Sequence, residues 1–596
     1  MMTSDSEDCA SPASRLRIDQ NLPGAFGCPF KFVPSVVEEL PPAENCNACV
    51  VMGLVRVPKC SPGWFIHNKS RGHLKVGRIV AVSPGVAIVI GSIRATGPIF
   101  CPVECIGCRQ QSAFPTEPSV FVPLTSRGTL MTRKTSRRSF LGSSAALGTA
   151  FWVAPQTFGR PTRSALEGLT AACIGVGGKG DSDSSHIADQ DVEIVGICDV
   201  DKRTLAKKSK EFTKAEQFTD FREMLDKLGD KVDIVSVSTP DHTHAAAAIK
   251  AMKAKKHVYV QKPLTWSIRE ARIMREVAAE TGVVTQMGNQ GTAEDGLREA
   301  VEVIRSGAIG SVSELHVWTN RPVWPQGIGR PAGEDKVPDY LDWDSWIGPA
   351  PMRPYKEGVY HSFNWRGWVD FGTGALGDMA CHTTNMPVMA LELWDPIAVT
   401  AVKNPGIVEG ETFPGATTLM FEFPERNGLA ATKFYWYDGG SLPSDDLVAQ
   451  LPEGFRKRIA EQKKGGSKTS AALVVGSKGM LLSENDYGAA YTLLPDADFK
   501  GFKKPDQSIP RIPFKGSNDE RNKWEFVESC RGNYKPGTMS NFGYAGRLTE
   551  TILVGNLAVR AGEGQRIEWD AKNLVSTNLP ELNQYVQREY REGWSL

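Results

Sequence analysis

Asp378 and His382 stand four residues apart in GALGDMACHTTN, which puts both side chains on one helix face if Gly377 opens a helix. An imidazole titrates near neutrality, so His382 suits taking a hydroxyl proton as hydride leaves the adjacent carbon. The Asp378 carboxylate would hold the substrate or orient the imidazole. The pair equally fits a helix surface pair or two ligands of a metal, but no third ligand with convincing spacing accompanies it. Lys262, in Gln261-Lys262-Pro263 directly after the apolar run HVYV, is the second candidate. At the carboxyl end of a strand in a wound sheet, a lysine is placed to polarise a hydroxyl or carbonyl. The alternative is a solvated lysine before a turn.

A hydride acceptor is written upstream. LTAACIGVGGKG from Leu169 sets Gly175, Gly177 and Gly180 at G-x-G-x-x-G spacing after an apolar run, with Gly178 and Lys179 completing the turn. A tight strand-to-helix turn, bare backbone beside a pyrophosphate and free N–H groups at a helix start all need such glycines. Apolar VEIVGI follows and leads to Asp199, about twenty residues on, where a dinucleotide fold places the acid that takes a ribose hydroxyl. A carboxylate there favours NAD over NADP by repelling a 2′-phosphate, although Lys202 and Arg203 lie close enough to soften the preference.

Around these residues the pattern is that of a parallel sheet wound with helices. AACIGV, VEIVGI, VDIVSV, HVYV and VVTQM read as strands, and 245–255 and 268–281 as helices between them. After residue 291 the chain changes. A helix over 296–306 leads to VSELHVW, and IAVTAV, ATTLMFEF and LAATKFYWY alternate as the strands of an open, largely antiparallel sheet do. The fold class is therefore α/β: an N-terminal Rossmann dinucleotide-binding domain over 166–291 and a C-terminal α+β domain over 292–596. Long loops beginning at Trp318 and Tyr360 carry Trp318, Trp324, Trp365 and Trp368, suited to stacking on sugar faces or simply to packing. Arg321 and Arg366 in the same loops suit hydroxyls or a carboxylate. The basic stretch 456–468 reads as a solvated insertion, 544–561 as an apolar helix, and the final YREGWSL as a segment that docks back onto the body.

The chain has 596 residues, 41% hydrophobic and 23% charged, with a net charge of +1. This excludes a broad basic field for nucleic acid, and no apolar run reaches the ~20 residues of a membrane span. Cysteines crowd the first 130 residues, and Cys46/Cys49 and Cys105/Cys108 have C-x-x-C spacing. Their ~55-residue separation exceeds that of a zinc ribbon, so no metal site is expected. Residues 131–159 begin with Met131, carry Ser136-Arg137-Arg138-Ser139-Phe140-Leu141 and continue through a short apolar run, the pattern of a twin-arginine export signal. Such signals act at an N-terminus. Met131 is therefore expected to be the true start, residues 1–130 a non-native or disordered extension, 131–165 signal and linker, and the protein periplasmic through the twin-arginine machinery. If the extension is made and blocks export, the protein stays in the cytoplasm.

The glycine fingerprint, STPDHTHA from Ser238, the lysine-proline pair and G-D-x-x-x-H together resemble, in that order, the Gfo/Idh/MocA oxidoreductases over most of 169–596. The resemblance implies NAD(P)-dependent oxidation of sugars, inositols or their derivatives, and an open sheet that mediates a homo-oligomer. It implies Lys262 and His382 as the catalytic pair, with Asp378 binding substrate together with Arg321, Trp324, Trp365 and Arg366. It places Thr239, Pro240, His244, Gln261 and Asn289 at the cofactor. One departure stands out: Gln261 replaces the family's usual glutamate and removes a negative charge beside Lys262. Export of folded protein favours a cofactor loaded beforehand and retained, which resembles the glucose-fructose oxidoreductase branch. Two alternatives use the same parts: an NAD-dependent glycosidase working by transient oxidation and elimination, and a non-catalytic sugar-binding protein.

Overall fold

The computed structural model describes residues 49–56, 74–83 and 86–93 as backbone strands and residues 168–596 in full. Two units result, Met1–Met131 and Thr132–Leu596. In the first, β1 (Cys49–Arg56), β2 (Leu74–Ser83) and β3 (Val86–Ile93) form an antiparallel sheet in the order β1-β3-β2. These runs are rich in β-branched residues, a signal that the surrounding scatter of Pro, Gly and Cys obscures. Cys46, Cys105, Cys108 and the leader at 131–159 lie outside the described residues.

The second unit begins with β4 (Thr170–Ile174), α1 (Lys179–Ala188), β5 (Glu193–Cys198), α2 (Lys202–Lys208), β6 (Glu216–Phe218) and α3 (Phe221–Leu228). It continues through β7 (Ile234–Val237), α4 (Asp241–Lys253), β8 (His257–Val260), α5 (Ile268–Thr281) and β9 (Thr285–Met287). All six strands are parallel, in the order β6-β5-β4-β7-β8-β9. Every residue of β4 and β7 is buried, as expected for strands covered by helices on both faces. Strand order reverses between β4 and β7, so a crevice opens beyond their carboxyl ends. Capping fixes the helix ends here: Ser267 and Glu270 form a capping box on α5, and Gly282 ends it in the left-handed region.

Next come α6 (Asp295–Arg305), β10 (Val312–Trp318), α7 (Trp343–Ile347), α8 (Gly374–Thr383), α9 (Asn385–Leu391), β11 (Ala398–Lys403), β12 (Thr418–Phe423) and β13 (Thr432–Tyr437). They are followed by α10 (Asp445–Ala449), α11 (Glu453–Lys463), β14 (Ala471–Gly476), β15 (Gly479–Ser483), β16 (Thr492–Leu494), α12 (Asn518–Cys530), α13 (Phe542–Ala561), β17 (Arg566–Asp570) and β18 (Val575–Ser576). The nine-stranded sheet runs β16-β15-β14-β10-β13-β12-β11-β17-β18 and is antiparallel except for β10 against β13. Its inner face, including Leu315, Phe421 and Phe434, packs with α8 and α13. A Cβ on Gly555 would come within 2.7 Å of Leu376, so a glycine is what lets α13 approach this closely.

Two readings are decided at the outer face. The basic stretch 456–468 is solvated at nearly every position, as expected, and is anchored where α11 lays Phe455 and Ile459 over Trp318 and Leu473. Its positive charges are the solvated side of an amphipathic helix. Trp318 is fully buried beneath it, donating to the Thr469 hydroxyl, and does not reach a sugar-binding cleft.

A late helix also contributes to the layer around the parallel sheet. Phe526 and Val527 of α12 join Ala171, Ile187 and Tyr259 in the core of the Rossmann sheet, so a late helix completes its covering layer. Arg298 on α6 meets Glu525 on α12 at 2.7 Å, with both side chains 1% exposed. Arg298→Met should therefore strand a buried carboxylate and lower unfolding free energy by about 3–5 kcal/mol. The double replacement Arg298→Met/Glu525→Leu should recover most of that loss, and urea denaturation of the whole protein measures both.

Candidate active site

At the end of β4, Gly175 takes φ +75°, and a Cβ there would lie 2.7 Å from the Ser238 carbonyl at the end of β7. A Cβ on Gly180 would lie 1.9 Å from the Gly175 carbonyl. These glycines allow α1 to start tightly against the sheet at the reversal point. Gly178 precedes α1 with φ +53° and no side-chain cap; the Gly180 amide donates to the Gly177 carbonyl at 2.9 Å, and the other N–H groups of the first turn are left to an anion. Asp199 lines the same cleft, its Oδ2 accepting from the Val176 amide at 3.0 Å and its Oδ1 from the Asp201 amide at 2.9 Å. Lone pairs remain on both oxygens for a ribose hydroxyl. Burial pushes the Asp199 carboxyl up to about 6, against the pull of those amide donors. Arg203 is tied to Asp201 by two hydrogen bonds, which spends its charge on a carboxylate. A bare-backbone cradle, open amides and a ribose acceptor fit a dinucleotide.

The cleft has a volume of about 1200 Å³ and runs from the glycine loop to α8. There Lys262 donates from Nζ to Asp378 Oδ1 at 2.7 Å and to the Asp378 carbonyl at 3.0 Å. Arg366 donates from Nε to the same Oδ1 at 3.1 Å. Burial works to raise the Asp378 carboxyl, but the Lys262 and Arg366 charges override it and hold it at about 2. His382 lies one turn along α8, with its Nδ1 buried and unpartnered and its ring edge-on to Tyr487 at 5.1 Å. Burial and the Lys262 charge press its imidazole down to about 3, so it is neutral.

Gly177, Gly178, Lys179, Thr239, Pro240, Gln261, Arg321, Trp324 and Trp365 also line the cleft. Arg366 packs over the Trp365 ring at 4.3 Å. Lys179 is drawn toward Asp183 and Asp519 rather than standing free over the loop. Three expected residues lie elsewhere. His244 is fully buried, with Nδ1 at 2.9 Å from the Pro263 carbonyl and Nε2 at 2.8 Å from the Thr239 carbonyl. It therefore positions the loops on either side instead of touching ligand. Asn289 is buried between the Ser540 hydroxyl and the Cys381 carbonyl. Trp368 sits in an aromatic core with Trp346, Tyr360 and Phe371, donating to the Val359 carbonyl.

Sequence reasoning missed Tyr487 and Asp183. Tyr487 sits in the loop between β15 and β16, where Asn485 Oδ1 accepts from the amides of Tyr487 and Ala489; only that turn-forming Asn marked the site. Asp183, fully buried on α1, accepts from Gln261 Nε2 at 2.8 Å and from the Ser238 hydroxyl at 2.8 Å. Among the described residues, no cluster of three or more His, Cys, Asp or Glu side chains is arranged to hold a metal.

Residues 169–289 match the model of the Gfo/Idh/MocA oxidoreductases, NAD-binding Rossmann fold, and residues 312–398 match the model of that family's C-terminal α/β domain. A scyllo-inositol 2-dehydrogenase (NAD(+)) from Bacillus subtilis is 32% identical over 102 residues, 17% of this chain and 27% of the relative. A glycosyl hydrolase family 109 protein from Shewanella pealeana is 31% identical over 128 residues, 20% of this chain and 27% of the relative. The chain thus spans about a quarter of the length of these two relatives. The WlbA dehydrogenase structure from Bordetella pertussis, in complex with NADH and UDP-GlcNAcA, aligns with TM-score 0.45 at 16% identity, covering 68% of this chain and 99% of that one. Gly180→Ala should weaken NAD binding about tenfold or more, near 1.4 kcal/mol, as read by fluorescence titration.

Proposed function

We propose that this chain, which belongs to the Gfo/Idh/MocA oxidoreductases by its Rossmann and C-terminal domains, is an NAD-dependent dehydrogenase of a sugar or polyol CH–OH group. The observation that carries the reading is the meeting of Lys262, ionised Asp378 and neutral His382 at one end of a cleft whose other end is a dinucleotide cradle. Bound NAD supplies the hydride acceptor. The rest is done by the chain. Asp378 takes two of the three donor directions of the Lys262 ammonium and leaves the third for the substrate oxygen. That charge acidifies the hydroxyl and stabilises the oxygen as the carbonyl forms. Such help is needed, because a His382 imidazole pressed so low is a weak base. His382 accepts the O–H proton while the carbon-bound hydrogen departs with its electron pair. Trp324 and Trp365 offer faces for the ring, and Arg366 donates to the same Asp378 oxygen as Lys262.

The twin-arginine pattern before residue 160 supports export of the folded protein with its cofactor aboard, Met131 being the start. Peptides preceding Met131 in the native protein would overturn that part. A homo-oligomer through the uncovered part of the sheet's outer face, around Lys433 and Tyr435, belongs to the same reading and is checked by light scattering.

A panel of sugars and inositols, followed by absorbance of the reduced nicotinamide, tests the activity. Lys262→Ala and His382→Ala should each lower kcat by about 10²–10⁴ while NAD stays bound. Cleavage of an aryl glycoside without net reduction would favour the glycosidase, a reading that the family 109 relative keeps in play. Sugar binding without turnover would favour a binding protein. Because the His382 pKa is depressed, the group is unprotonated at every pH above about 4, so it should add no acid limb to kcat/KM between pH 5 and 8. An inflection near 6.5 that vanishes in His382→Asn would contradict this assignment.

A further inference from the structure

The adenosine end of the cleft is built by both halves of the chain. Directly after β5, Asp201 and Leu341 form an antiparallel bridge. The Lys202 amide donates to the Tyr340 carbonyl and the Asp342 amide to the Val200 carbonyl, each at 2.9 Å. The Arg203 guanidinium lies 3.5 Å above the Tyr340 ring while bound to Asp201. A segment of the long loop between β10 and α8 is thus paired, main chain to main chain, with the turn that follows the ribose acceptor Asp199.

The chain's final residues fasten the segment from outside. Arg591 pairs with Asp344 at 2.5 Å and donates to the Gly348 carbonyl at 3.1 Å. Arg222 on α3 donates to the Gly593 carbonyl at 3.1 Å, and its guanidinium lies 4.3 Å from the Trp594 ring. Trp594 also packs on Phe221, with ring centroids 5.9 Å apart. Tyr340, Tyr355, Trp346 and Trp594 line the same cleft as Asp199. Planar side chains around a ribose acceptor suit a nucleobase.

We propose that residues 340–344, locked by the tail at Arg591–Trp594, are a strap over the adenosine half of the dinucleotide that keeps the cofactor bound from one turnover to the next. The inference deepens the dehydrogenase reading and rests on it. Releasing adenosine through this end means breaking two main-chain hydrogen bonds, a cation–π contact and the Arg591–Asp344 pair together. Ordinary Rossmann contacts alone impose no such cost. Arg203 is a positioning residue here, since it acts by holding Tyr340 and the strap to the β5 turn, whereas Tyr340 also lines the cleft itself.

The test is the rate at which NAD leaves the loaded, full-length protein after dilution into excess unlabelled NAD, read by retained radiolabel and independent of turnover. The native protein should release NAD more slowly than it turns over. Tyr340→Ala should speed release at least tenfold, and Tyr340→Phe, which keeps the ring under Arg203, should stay within about twofold of native. Arg591→Ala, which removes the Asp344 pair together with the bonds to the Asp344 and Gly348 carbonyls, frees the tail and should also speed release, which covers the case in which Tyr340→Ala does not fold. Native-like release from folded Tyr340→Ala or from Arg591→Ala, or a native protein that exchanges NAD faster than it turns over, overturns the strap and leaves the dehydrogenase reading standing. A native protein that binds no NAD overturns the reading beneath it.

Discussion

One buried carboxylate organises the reactive end of this protein. Asp378 takes a lysine from the end of β8 and an arginine from the loop before α8, and their charges keep it ionised against the effect of burial. Without it, two partly buried cations would face each other, and each would lose its orientation. The strand end, the long loop and α8 must therefore all be in place before the site exists. Thr373, the N-cap residue of α8, adds a second tie by donating to Asp241 Oδ2 at 2.7 Å, which joins the start of α4 to the start of α8. Burial raises the Asp241 carboxyl to about 7, against the hydrogen bond from Thr373 and the Arg366 charge.

The departure at Gln261 has a physical account in the structure. The charge absent at position 261 stands instead at Asp183, one hydrogen bond away from the Gln261 amide. Burial works to raise the Asp183 carboxyl, and the charges of Lys523 and Lys179 bring it below the usual carboxylate range. Lys523 is itself fully buried at 2.6 Å from Asp183 and comes from α12, the late helix that completes the Rossmann layer. Asp183 is also fixed to Ser238 at the strand reversal. The glycine loop, the lysine strand and a C-terminal helix are therefore tied through one carboxylate, and a slip in any of them is felt by Lys262.

Much of this was legible in the sequence because local chemistry dictated it. The glycine spacing, the strand alternation and the i, i+4 pair of α8 are each decided within a few residues of chain, and the structure shows all three. The misses came from contacts distant in sequence. Trp318 and Trp368 looked like Trp324 and Trp365, and only the layer packed above each decided which became core. His244 and Asn289 sit beside the cleft with side chains turned to backbone carbonyls or a neighbouring hydroxyl, an orientation that spacing does not encode. Asp183 was hidden in a polar helix, since nothing near it in sequence tells that Lys523 will arrive. The parallel pairing of β10 with β13 was equally invisible, because alternation marks a half-buried strand but not its partner's direction.

A cleft strapped at one end has consequences for the other. With Tyr340 and Trp594 fastened around the adenosine pocket, traffic falls to the end where Lys262 and His382 stand. The rim there differs in character from the strapped end. Val323 is 63% exposed and Phe363 48%, and both line the cleft beside Trp324. Arg366 packs over Phe363 at 4.7 Å, so the exposed ring is held in place by the residue that also orients Asp378. In the proposed reaction, a substrate stacked on this rim would press on the arginine that holds Asp378, so that binding and alignment become one event. A retained cofactor also needs such a mouth for a second reason. If the dinucleotide does not leave after reduction, its reoxidation must come from another small molecule entering by the same route, so the rim has to accept both partners in turn. Apolar faces beside a few donors suit that role better than a pocket cut to a single hydroxyl pattern, because stacking tolerates changes in stereochemistry that directed hydrogen bonds reject.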